Sequence, residues 1–215
     1  MRKIVPVFCL LFLVLLTLSC KKDPTIEYVG TPPPDTLALT SDEKALILAG
    51  DDTTLMRVLT INILDDSLKL RTKSHDVRPD TNDAALMQLI HRMLVTVKDP
   101  ANPGVGIAAP QVGINRNIIW VQRLDKAGKP FEVYLNPRIV LYSNKQIIFN
   151  GDGCLSIPGV HGNSHRSSAV VVEYDLPDGS HHQELIEGYS STNFTSVIFQ
   201  HEIDHLNGIL FIDRL

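Results

Sequence analysis

The chain has 215 residues, 44% of them hydrophobic and 20% charged, with a formal net charge of −4 at pH 7. That length buries one substantial core, and no internal repeat divides it. The mildly acidic balance, with no basic run, excludes a nucleic-acid groove, and the three cysteines (Cys9, Cys20 and Cys154) leave no disulfide framework beyond the N-terminus.

Arg2 and Lys3 precede an almost wholly apolar run over residues 4–18, the length of a signal-peptide core rather than of a membrane span. Ser19 and Cys20 follow. A small residue before cysteine at the end of such a run resembles the lipobox of bacterial lipoproteins, which implies lipid attachment at Cys20. Thr17 stands where that pattern usually has leucine. The expectation is a signal peptide over residues 1–19 and a domain in the cell envelope, lipid-anchored and facing away from the cytoplasm. The alternative is a cytoplasmic chain whose signal is not used.

Residues 20–50 read as the attachment cysteine, a tether and one short helix. The run Thr31-Pro32-Pro33-Pro34-Asp35 is extended and stiff, and Thr40 and Glu43 are spaced as a capping box for a helix that stops at Gly50. The domain is set at residues 51–215. Its first strong helix spans residues 83–97, with Leu86, Ile90, Met93, Leu94 and Val97 as the apolar stripe and Thr81 or Asn82 as cap.

Residues 104–113 are rich in glycine and alanine, which lets backbone approach closely. With no lysine after the glycines, a phosphate loop is excluded. Gln111 is the lone polar side chain in that run. Its amide suits a developing oxyanion, although the segment by itself points more simply to a glutamine that stitches two strands together.

From residue 117 the period becomes that of strands: 118–121, 131–135, 139–142, 146–149, 169–174 and 182–186, with turns at Asn136-Pro137 and Pro177-Asp178-Gly179. Between the two strand groups lies Cys154, flanked by Gly151, Gly153 and Gly159. His161, His165, His181 and His182 read as exposed loop groups rather than ligands.

Near the C-terminus stands Gln200-His201-Glu202-Ile203-Asp204-His205-Leu206-Asn207-Gly208. Its H-E-x-x-H core puts His201 and His205 on one helical face, with Glu202 about 100° further round. Phe194 and Ile198 share the histidine stripe, whereas Phe199, Ile203 and Leu206 fall on the opposite one, so the helix is buried on two sides. Thr192 reads as its N-cap and Gly208 as its left-handed stop. A thiolate with two imidazoles makes three ligands and leaves one open position. The fold expected is α+β, with antiparallel β-sheets packed around this buried C-terminal helix.

Three segments together resemble the peptide deformylases. That family carries G-x-G-Φ-A-A-x-Q, E-G-C-L-S and Q-H-E-x-D-H in this order, and here they stand as residues 104–111, 152–156 and 200–205. The resemblance runs from about residue 57 to 215. It implies that Cys154, His201 and His205 hold one divalent metal, most commonly iron(II), with zinc, nickel or cobalt also able to occupy the site. Glu202 would take a proton from the attacking water and pass it to the leaving amine. Gln111 and the backbone N–H of Leu155 would stabilise the oxyanion.

The substrates implied are N-formylmethionyl peptides, lying beside Gly106 and Gly153, with Val105, Val197 and Ile198 lining the methionine pocket. The protein would act as a monomer without nucleic acid, held to the membrane by its lipid. One departure is Asp152, where the family usually has glutamate; the shorter acid is expected to pair with Arg166 and to loosen the cysteine loop. The competing functions are a metallo-amidase or protease of the envelope acting on another substrate, and a catalytically weak lipoprotein that binds peptides.

Overall fold

A computed structural model describes residues 35–215, so the expected signal peptide, Cys20 and nearly all of the expected tether lie outside the described residues. The compact unit runs Asp35–Leu215, beginning before the boundary read at residue 51. The reason is packing. Leu39 and Ile47 are buried in the cluster around the long helix. Buried Arg116 gathers the same stretch, donating to the Thr36 and Ala38 carbonyls and to the Glu43 carboxylate. The first helix, α1 (Ser41–Ile47), has Thr40 as N-cap with the reciprocal bonds of a capping box.

A second short helix, α2 (Leu64–Leu70), has no counterpart in the sequence reading, because its apolar residues do not follow one inward stripe. Helix α3 (Ala84–Val97) is capped by Asp83, not by Thr81 or Asn82. The Asp83 carboxylate accepts from the backbone N–H groups of Ala85 and Leu86, which a residue one or two positions earlier cannot reach. Leu86, Ile90, Met93 and Val97 bury the predicted stripe, with Leu89 beside them.

Five strands form one antiparallel sheet in the order β1 (Gly106–Ala108), β2 (Ile118–Gln122), β3 (Phe131–Tyr142), β6 (Ala169–Asp175) and β7 (His181–Glu187). A separate antiparallel pair is formed by β4 (Gln146–Cys154) and β5 (Ile157–Ser167). The two runs split at Asn136-Pro137 belong to one strand. Asn136 takes φ 51°, a bulge interrupts the register there, and its side chain bonds the backbone of Val77 on both sides. Strand β5 escapes sequence reading because glycine, histidine, asparagine and serine fill it, and only pairing with β4 makes it extended.

The last helix, α4 (Thr195–Leu206), is buried along its whole length. Ile198, Phe199, Ile203 and Leu206 pack against Ala108, Ile119, Val121, Tyr134, Val170 and Val172 of the five-stranded sheet. Antiparallel sheets with helices make the domain α+β. Asn193 supplies the N-terminal bonds expected of Thr192, its side-chain oxygen accepting from the Thr195 N–H and hydroxyl. At the other end Gly208 has φ +71°, and the N–H groups of Gly208 and Ile209 return to the His205 and Asp204 carbonyls.

Behind α4, Arg123 is 1% exposed and donates to Asp125, Glu132, Glu184 and the Tyr134 hydroxyl. Burial alone would raise the carboxyls of Asp125 and Glu132. Arg123 beside the first and Lys126 beside the second hold them below their ordinary values of 3.8 and 4.5. A depressed folded pKa contributes stability that is present above the unfolded value and is lost as pH falls through the folded one. Asp125→Asn is therefore expected to lose less stability than the parent when acidified from about pH 6 to about pH 3. Urea midpoints that fall in parallel for both chains would contradict this.

Candidate metal centre and cleft

Helix α4 delivers two imidazoles from consecutive turns, with the His201 and His205 rings 5.1 Å apart between centroids. The end of β4 brings Cys154 to meet them. Ligand atoms of Cys154, His201 and His205 all lie within 4.8 Å of one another. The Cys154 sulfur stands 3.2 Å from His205 Nε2 and accepts from the Ser156 N–H at 3.4 Å and from Gln111 Nε2 at 3.5 Å. Burial alone would raise the Cys154 thiol, but the adjacent His205 and His201 hold it well below the ordinary range. That favours the thiolate, the form in which cysteine ligates metal.

A second layer orients these groups. Asp152 Oδ1 lies 3.0 Å from His201 Nδ1, so that nitrogen carries the proton and Nε2 is left for the centre. The other Asp152 oxygen accepts from the Ser164 hydroxyl at 2.6 Å and from Arg166 at 3.2 Å. Arg166 continues to Asp204, which Arg214 also binds. Burial would raise the Asp152 carboxyl, yet the His201 bond and its charge, with Ser164 and Arg166, take it well below the usual carboxylate range.

Asp152 therefore pairs with Arg166 as its position suggests, and it is buried and held on both oxygens. Asp152→Asn is expected to weaken metal binding by roughly 10-fold to 100-fold, the usual cost of losing a carboxylate behind a ligating histidine. Asp152→Glu should restore ordinary affinity if the added methylene fits. Competition against a chromogenic chelator measures both, and an unchanged affinity in Asp152→Asn would contradict the assignment.

Glu202 sits beside the centre without joining it. Its Oε2 is buried and has no hydrogen-bond partner, and burial raises its pKa to about 7. A Cβ on Gly106 would stand 2.5 Å from Glu202 Oε1, so only glycine at 106 leaves the carboxylate its place. Gln111 turns its oxygen to the Ala108 N–H at 2.8 Å and its Nε2 toward Cys154 and Ser156, so it stitches backbone and also points a donor into the centre.

All of this opens into a cleft of about 390 Å³. Val105, Gly106, Gly153, Val197 and Ile198 line it, together with Gln111, Cys154, Leu155, His201 and Glu202. His205 lies beneath it, fully buried. Phe149, Phe194 and His161 are among the lining residues that escaped the sequence reading. Phe149 and Phe194 stack at 5.2 Å across the cleft wall, and His161 reaches over Gly153, which pairs with it in the β4–β5 register. The signal for the phenylalanines was present, an aromatic pair flanking two glycine-rich or turn segments. None marked His161, which is exposed as expected yet lies at the cleft mouth rather than away from it. His165, His181 and His182 are exposed and stand apart from the centre.

A thiolate and two imidazoles suit a borderline-soft divalent metal, and a buried carboxylate oxygen without a hydrogen-bond partner stands beside them. The class this defines is the metal-dependent hydrolases.

The comparisons narrow it. The polypeptide deformylase family model matches residues 58–215. The chain is 39% identical over 160 residues to peptide deformylase 2 of Vibrio vulnificus strain CMCP6, covering 74% of this chain and 88% of that protein. With the peptide deformylase of Rhizobium meliloti strain 1021 it shares 37% over 162 residues, 74% of this chain and 86% of the relative.

Among solved structures, the actinonin-bound class I type b peptide deformylase of Acinetobacter baumannii superposes with a TM-score of 0.63 at 31% identity, over 75% of this chain and 99% of that one. An inhibitor complex of Arabidopsis thaliana peptide deformylase 1B gives 0.63 at 30% identity, over 74% and 81%. The chain belongs to the polypeptide deformylase family.

Proposed function

We infer that the chain hydrolyses the formyl group from the N-terminal methionine of peptides, releasing formate and a free amine, and we assign its steps to residues of the cleft. The observation that carries the assignment is the convergence of Cys154, His201 and His205 within 4.8 Å beside the unpartnered Glu202 carboxylate. The three donors would hold one divalent metal, iron(II) first, with zinc, nickel or cobalt as alternatives. When bound, that ion supplies Lewis acidity that activates water and polarises the formyl oxygen.

Glu202 takes a proton from the attacking water on its carboxylate and returns it to the departing nitrogen. A buried carboxyl with a pKa raised to about 7 is suited to both transfers near neutrality. Gln111 Nε2 and the Leu155 backbone N–H donate to the oxygen that becomes negative as the formyl carbon turns tetrahedral. Strand β1 is an edge of the large sheet and β4 an edge of the small one. A peptide extended between Gly106 and Gly153 therefore meets backbone groups on two sides. Val105, Val197 and Ile198, with Phe149 and Phe194, give the methionine an apolar and polarisable wall.

The test offers formylated and unformylated methionyl peptides to the purified chain. Formate from the first and nothing from the second supports the assignment. Release of amino acids from the unformylated peptide would instead mark a protease, and binding of either peptide with no turnover would mark a peptide-binding lipoprotein.

The location is proposed on sequence grounds alone. The signal-like run over residues 1–18 and Ser19-Cys20 support a lipid-anchored chain in the cell envelope, acting on formyl-peptides that reach it. Among the described residues no helix is long and apolar enough to cross a membrane. Incorporation of labelled lipid that disappears in Cys20→Ala tests the anchor, and a chain recovered unlabelled from the cytoplasm would contradict it.

A further inference from the structure

We propose that the outward face of α2 is a surface that contacts the lipid interface of a membrane; this rests on the envelope reading above.

The first observation is that α2 is built inside out. Asp66 is 4% exposed and Leu70 fully buried, whereas Leu64 is 73% and Leu68 61% exposed. Two residues on a helix turn about 200°, so the two leucines stand on the face opposite Asp66. Ile63, just before the helix, is also exposed. The inward acid has a structural role, since it accepts from Arg57 at 2.7 and 2.8 Å and from the Thr60 N–H at 3.1 Å. No group of the domain covers the outward leucines.

The second observation is where the exposed apolar side chains fall along the chain. Seven of the sixteen exposed large hydrophobic side chains among the described residues fall between positions 37 and 68, so exposed apolar surface is concentrated in this part of the chain.

The occupant follows from the sequence that precedes the unit. An apolar run ends at Cys20, and residues 21–34 join it to Asp35, a link that spans about 50 Å when fully extended. A surface tethered so closely to a bilayer meets it at an effective concentration in the millimolar range. A few leucines that leave water for the acyl boundary then suffice to hold one orientation. With Asp66 paired to Arg57, Asp65 against Lys69 leaves α2 with no net charge, so the contact is apolar and needs no anionic lipid.

The experiment uses the full, lipid-modified chain in phosphatidylcholine vesicles, with a photoreactive diazirine leucine at position 63, 64 or 68. The control carries the same probe at Leu185, exposed on β7. Lipid adducts at 64 and 68 should exceed those at 185 about tenfold, and Leu64→Glu with Leu68→Glu should abolish the difference at the flanking Ile63 while formate release is unchanged. If the chain stays on the vesicles through a salt wash but labels equally at all positions, or labels only protein, the surface is wrong and the anchor stands. A chain that washes off without adducts overturns both.

Discussion

Glu202→Gln is expected to keep one metal per chain and to lose roughly 10²-fold to 10⁴-fold in turnover, the range for removing a general acid–base group. Glutamine is nearly isosteric, so the close fit of this side chain against Gly106 survives. What goes is the ability of the carboxylate to accept the proton of water and hand it to the amine. The effect should fall on kcat with KM little changed, because the carboxylate contacts the reacting atoms and not the methionine wall. A Glu202→Gln enzyme with parental turnover would place the base elsewhere.

Cys154→Ala is expected to release the metal. It removes one of three protein donors, and the one whose thiolate is favoured by both histidines. Affinity should fall at least ~100-fold, beyond the cost of losing a supporting hydrogen bond behind a ligand, and activity with it. The two variants separate the roles, since one keeps the ion without the proton transfer and the other loses both. Full occupancy in Cys154→Ala at stoichiometric metal would contradict the donor set.

Much of this centre was legible in the sequence because its parts are local. A four-residue offset fixes where two helical histidines stand, whatever the rest of the chain does. The glycines at 106 and 153 likewise announced a close approach, and the approach at 106 proves to be the Glu202 carboxylate itself. Features set by long-range pairing were not legible. Strand β5 has the composition of a loop and is extended because β4 pairs with it, which carries His161 to the cleft mouth. Asp152 was read for its bond to Arg166, whereas its second oxygen also fixes the His201 ring from a residue 49 positions away. Helix α2 was missed because its exposed leucines and buried aspartate invert the pattern by which helices are recognised. Residues 35–50 were taken for a lead-in, since nothing local shows that Arg116 will gather them.

The most direct test titrates metal into the purified full chain under anaerobic conditions while formate release from a formyl-methionyl peptide is followed. The rate should rise linearly with iron(II), or with nickel, and stop rising at one ion per chain, with one free amine formed for each formate. Formate release that persists in chelator-treated chain, or none at one ion per chain with either metal, would contradict a metal-dependent deformylase centred on Cys154, His201 and His205.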